Sequence, residues 1–179
     1  DSIRARILRL IADEIEKRGV VDVFRNGVKE GNETLRLAYF KPNSGLNSDH
    51  ADLFRKNRFT IVRQLHYSVK NENSIDMVLF LNGLPVVTME LKNKLSGQNY
   101  KDAEKQYKTS RDHREPLLKF TRCVVHFCVD EDNVSMTTRL SGDGTRFLPF
   151  NRGIENPANP LGFKTSYLWE EVLEPGSLS

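Results

Sequence analysis

Three polar residues punctuate two short apolar runs: Asp76 near the start of S-I-D-M-V-L-F-L, then Glu90 and Lys92 at the end of P-V-V-T-M-E-L-K. The runs at 75–81 and 86–91 are β-rich and flank an Asn82-Gly83-Leu84-Pro85 turn, so the spacing predicts a hairpin. Folding it gathers the three residues at its open end. Carboxylates beside a hydrophobic sheet are costly to bury without a cation. A divalent ion such as Mg²⁺ takes few protein carboxylates and keeps several waters, which suits Asp76 and Glu90. Glu90 and Lys92 are two apart in a strand and share a face. A lysine there can orient an attacking water or stabilise charge developing on a phosphate. The plainer alternative is a set of strand-end charges, an ion pair of little worth.

Register decides whether the acids meet. A plain two-residue Asn82-Gly83 loop pairs Leu81 with Leu84 and sets Asp76 opposite Met89, with Glu90 on the other face. The site needs Asp76 across from Glu90. This predicts a three-residue connection or a bulge near Leu84-Pro85, where proline cannot donate to the ladder.

The elements that must hold this hairpin can be read on either side of it. Ile3, Ile7, Leu8, Leu10, Ile11 and Ile15 recur at helical spacing over 2–18, with Gly19 as the stop. Asp13, Glu14 and Glu16 on that helix form a solvated acidic face, or else one of them, Glu14 the best choice, leans toward a metal. Residues 20–25 read as extended, Asn26-Gly27 as a turn and 35–40 as a strand. A polar loop follows over 41–57, with a helical turn at 49–54. Residues 58–69 alternate, which places Phe59, Ile61, Leu65 and Tyr67 on one face. With 75–81 and 86–91 they make an antiparallel meander. Residues 98–111 carry Ala103, Gln106, Tyr107 and Ser110 at helical spacing. Residues 122–129 are apolar enough for a strand buried on both faces, parallel to the one before the helix. The working topology is αβββαβ: an α/β fold with a mixed central sheet flanked by helices. A strand at 134–139, a return strand at 147–150, an irregular stretch at 151–160 and a helix at 167–173 complete a single domain over 1–179.

Composition limits the partners. The net charge of +3 is weak evidence for a polyanion, but basic residues bunch at 55–58, at 92–108 and at Arg111 and Arg114, on both sides of the acidic hairpin. They are a solvated surface or a surface for phosphates. No run is long and apolar enough to span a bilayer and no signal-peptide pattern opens the chain. Cys123 and Cys128 read as buried free thiols of a reducing cytosol, pointing to opposite faces of one strand. His66 is a strand histidine or a catalytic base; His126 is structural. No phosphate loop of the G-x-x-x-x-G-K-[ST] type is present, so the chain carries no ATPase motor.

The stretch D-M-V-L-F-L-N-G-L-P-V-V-T-M-E-L-K-N resembles the nuclease motif of the R (restriction) subunits of type I restriction enzymes, within the PD-(D/E)XK nuclease superfamily. The resemblance extends back to R-Q-L-H-Y and forward through A-E-K-Q-Y-K-T-S-R-D-H-R-E-P-L, V-V-H-F-C-V-D, M-T-T-R-L and F-L-P-F-N-R-G to Y-L-W-E-E-V-L. It implies that Asp76 and Glu90 are metal ligands with the Leu91 carbonyl as a third, and that Lys92 is the catalytic lysine. Gln106 matches the glutamine of a Q-x-x-x-Y motif and is a candidate contact to phosphate or a metal-bound water, although Ser110 stands where that motif has tyrosine. Glu14 matches the superfamily's helix acid loosely, and Ile75 replaces the proline before Asp76. The implied function is Mg²⁺-dependent (or Mn²⁺-dependent) endonucleolytic cleavage of double-stranded DNA in a prokaryotic cytoplasm. The implied partners are methylation and specificity subunits, together with ATP-driven motor domains on the same, longer polypeptide. A stand-alone repair or recombination nuclease, and a catalytically silent DNA-binding or docking module, are the alternatives.

Overall fold

The computed structural model describes residues 2–42 and 48–178. Helix α1 (Ile3–Arg18) begins where the Ser2 hydroxyl accepts from the Ala5 amide, and ends at Gly19, whose φ of 83° few other residues adopt. The expected extended piece at 20–25 is instead a second helix, α2 (Val20–Asn26). Its β-branched residues favour strands. Val20, Val23 and Phe24, at helical spacing, are buried, and burial overrides propensity. A small hairpin follows, β1 (Val28–Glu30) paired antiparallel with β2 (Glu33–Leu35).

The strand expected at 35–40 is confined to its first residue. Beyond Leu35 the backbone is bonded by side chains: Tyr39 donates its amide to Asn57 Oδ1 at 3.0 Å, and Asn82 Nδ2 donates to the Leu37 carbonyl at 2.8 Å. The helical turn expected at 49–54 is present as α3 (Ser48–Arg55). Residues 43–47 of the expected loop lie outside the described residues.

The main sheet has six strands in chain order: β3 (Phe59–His66), β4 (Ser74–Leu81), β5 (Leu84–Leu91), β6 (Val125–Val129), β7 (Val134–Thr137) and β8 (Leu148–Pro149). β3, β4 and β5 form the expected antiparallel meander. Helix α4 (Tyr100–Thr109) connects β5 to β6, which run parallel. Asn99 and Asp102 start α4 with a reciprocal capping box. The mixed sheet and its flanking helices are the α/β architecture read from sequence. At the C-terminal side the expected helix is reduced to a single wide turn, Leu168–Val172, with Leu168 fully buried.

Two cores lie on opposite faces of the sheet. One gathers Ile15, Val20 and Val23 of the N-terminal helices with Leu79, Val87, Met89, Phe127 and Leu168. The other gathers Ala103 and Tyr107 of α4 with Ile75, Val78, Cys128, Leu118 and Leu140. Every residue of β6 is buried, as its apolar composition requires. Strand β3 departs from its expected alternation: Phe59 packs on the first core, but Leu65 and Tyr67 pack on the second. Between them Gln64 has φ 49°, a left-handed residue inside a strand. Both cysteines are buried and free. Cys123 precedes β6, so strict alternation with Cys128 does not apply to it. Burial pushes its thiol up to about 12.

Gly27 closes α2 with φ 71°, and a Cβ there would stand 2.7 Å from the Leu35 carbonyl oxygen. Gly27→Ala should therefore cost on the order of 2 kcal/mol in urea-denaturation stability, from the left-handed backbone and the contact together.

Candidate active site

The hairpin carries the irregularity expected near Leu84-Pro85. The turn is tight, with Leu81 opposite Leu84 and Phe80 opposite Pro85. The register then slips: Leu79 faces Val87, Val78 faces Thr88 and Met77 faces Met89. Val86 is the extra residue. It follows Pro85, and its carbonyl accepts from the Val124 amide at 2.8 Å, just ahead of β6. A bulge rather than a longer loop corrects the register, and the next residues in it are Asp76 and Glu90.

Glu90 is fully buried. Its Oε1 accepts from Arg111 Nε at 2.7 Å, and Arg111 is itself buried. Burial raises the Glu90 carboxyl to about 7; Arg111 opposes that rise, and the Asp76 carboxylate alongside adds to it. Asp76 Oδ2 accepts from the Leu91 amide at 2.8 Å, and Oδ1 accepts from Gln64 Nε2 at 3.0 Å. Gln64 Oε1 in turn accepts from the Ser74 hydroxyl at 3.0 Å. Lys92 follows β5 directly, with its amide donating to the Val129 carbonyl at 2.8 Å. It is half-buried and makes no ion pair among the described residues.

Asp76, Glu90, Leu91 and Lys92 thus come together at the end of one hairpin. Gln106 lies on α4, beside the buried Tyr107, with no hydrogen bond to Asp76, Glu90 or Lys92. Glu14 is not brought to the other acids: its oxygens accept from Lys17 at 3.1 Å and Arg18 at 2.7 Å, and these bonds hold its carboxyl below its usual range. His66, at the exposed end of β3, has its Nδ1 3.6 Å from Glu72 Oε2. His126 is buried, as expected, with Nδ1 2.7 Å from Thr88 Oγ1, and Tyr107 Oη lies 2.7 Å from the same hydroxyl.

Among the described residues three buried side-chain atoms have no hydrogen-bond partner: Glu90 Oε2, Gln106 Oε1 and Tyr67 Oη. A buried carboxylate oxygen with no donor, next to a second carboxylate, fits a metal ion. Among the described residues no three His, Cys, Asp or Glu side chains converge on one point. The two carboxylates, completed by backbone and water oxygens, would suit Mg²⁺ or Mn²⁺. Sequence reasoning missed Arg111 as a partner of Glu90 and grouped it with basic residues that read as a solvated surface or a surface for phosphates. It missed Gln64 altogether. The one available signal was spacing: Tyr107 and Arg111, four apart, reach Thr88 and Glu90, two apart on one face of β5.

A mixed six-stranded sheet flanked by helices, with paired acids and a lysine at the end of a bulged hairpin, is compatible with a nuclease core fold. Residues 8–145 match the model of the type I restriction enzyme R protein N terminus, and the chain belongs to that family. No curated protein and no solved structure matches it.

The Thr88 network has a pH signature. Burial lowers the His126 imidazole from 6.5 to about 4. Between those values the unfolded chain binds a proton that the folded chain does not, so this group's contribution falls as pH falls through the window. Glu90, raised to about 7, works in the opposite sense from pH 7 down to 4.5. The wild type should therefore be compared with His126→Asn by urea denaturation: relative to the variant, it should lose about 2–3 kcal/mol between pH 7 and 4.5.

Proposed function

We propose that this chain is the Mg²⁺-dependent endonuclease domain of a type I restriction R subunit, hydrolysing phosphodiester bonds of double-stranded DNA. The observation that carries the reading is the buried, donor-free Glu90 Oε2 beside Asp76, aligned by the Val86 bulge. Asp76, Glu90 and the Leu91 carbonyl would hold the ion, and Mn²⁺ suits the same oxygen donors. Bound there, a divalent ion supplies Lewis acidity and lowers the pKa of a coordinated water.

The chain's own groups do the rest. Lys92, sharing the Glu90 face by strand alternation, orients the attacking water or offsets charge on the scissile phosphate. Gln106 supplies an amide to the phosphate or to a coordinated water. The exposed basic residues flanking the hairpin, Arg111 excepted because it is buried on Glu90, neutralise backbone phosphates without reading bases. Sequence choice then belongs to the methylation and specificity subunits, and ATP-driven translocation to motor domains of the same polypeptide, in a prokaryotic cytoplasm. Among the described residues no helix is long and apolar enough to cross a membrane.

Plasmid cleavage with Mg²⁺, in the assembled restriction complex, tests this. Glu90→Ala and Lys92→Ala should each lower cleavage at least about a hundredfold while DNA binding is retained. Wild-type cleavage by both variants would refute the assignment. No cleavage by the wild-type complex itself would favour a silent DNA-binding module.

A further inference from the structure

The two acids are not held alike, and the difference defines an orienting frame. Of their four carboxylate oxygens, three accept hydrogen bonds from the protein: Asp76 Oδ1 from Gln64, Asp76 Oδ2 from the Leu91 amide, and Glu90 Oε1 from Arg111. Only Glu90 Oε2 is left with no donor. One of the three donors is main chain and comes with the hairpin. The other two are side chains from outside it, Gln64 on β3 and Arg111 just past the end of α4.

Both side chains sit in unusual settings. Gln64 has φ 49° in mid-strand. The ladder pairs Arg63 with Met77 and Leu65 with Ile75 but skips Gln64 and Asp76. A left-handed non-glycine residue costs of order 1–3 kcal/mol and persists where its surroundings fix it. Here the residue spans Ser74 and Asp76, accepting from one and donating to the other. Arg111 is a buried guanidinium, yet it meets Glu90 through Nε to one oxygen. A charge-assisted bond to a single oxygen fixes the carboxylate's rotation and leaves its second oxygen pointing elsewhere.

We propose that Gln64 and Arg111 are positioning residues, each fixing the rotation of one candidate metal carboxylate so that the pair presents a preformed cation site. The inference rests on the metal-site reading above. Outer partners of metal ligands orient them, and losing one typically weakens metal binding about 10- to 100-fold.

Mn²⁺ binding to the purified chain, measured by calorimetry without DNA, tests the frame separately from cleavage. Gln64→Gly is the sharper variant, because glycine suits φ 49°. It should fold and melt close to wild type yet bind Mn²⁺ about tenfold more weakly. Arg111→Met should weaken binding by at least as much, and Arg111→Lys should recover part of it. If Arg111→Met does not fold, Arg111→Lys carries that arm, with binding weaker than wild type because lysine lacks the Nε donor. Asp76→Asn and Glu90→Gln are the controls and should abolish binding. Should both controls bind Mn²⁺ as wild type does, the metal-site reading falls and the inference with it. If the controls lose binding while Gln64→Gly or Arg111→Lys binds at wild-type affinity, the frame is overturned and the metal site stands.

Discussion

A carboxylate fully removed from water needs a positive partner, and the region around β5 is built to meet that need for Glu90. Arg111 supplies a permanent cation at 2.7 Å, which makes α4 part of the site as well as a crossover. The helix then has to lie at one height along the strand: Tyr107 reaches Thr88 and Arg111 reaches Glu90, while Glu104 Oε1 accepts from Ser135 on β7 at 2.7 Å. Moving the helix by one turn would break all three contacts. A buried ion pair adds little net stability; here it fixes register between a helix and a sheet.

Much of this is legible in the amino-acid sequence. The antiparallel meander, the parallel crossover and the need for a disruption beside Pro85 follow from residue types and from the two-residue period of strands. The gathering of Asp76, Glu90 and Lys92 at one end of the hairpin is likewise visible as an acid opening one strand and E-x-K closing the next. Those inferences work because they depend on local geometry, over distances that a hairpin makes short.

The misreadings share a physical cause. Residues 20–25 have strand composition but fold as α2, because burial of Val20, Val23 and Phe24 under α1 outweighs propensity. Residues 36–40 have strand composition, but the Asn57 and Asn82 side chains take the backbone bonds of Tyr39 and Leu37. Arg111 looked like one more surface cation, since composition cannot say which of several arginines meets a buried acid. Gln64 is hidden for a different reason: the alternation of residues 58–69 predicts a regular strand, and the residue that breaks it carries no sequence mark such as glycine.

The parallel pairing of β5 with β6 also has a consequence for assembly. Gln64, Asp76, Glu90, Lys92, Gln106 and Arg111 fall within one contiguous stretch, so the chain can bring them near one another through short loop closures. Yet the floor beneath them is finished only by Leu118, Cys128 and Leu140 from later in the chain. The groups are therefore local in sequence, while the burial that fixes them is not. The pairing of β5 with β6 is what removes Glu90 from water. A chain without β6 thus holds Asp76 and Glu90 on one hairpin but lacks the packing that buries Glu90, and the burial of that carboxyl arrives with the later strands of the sheet.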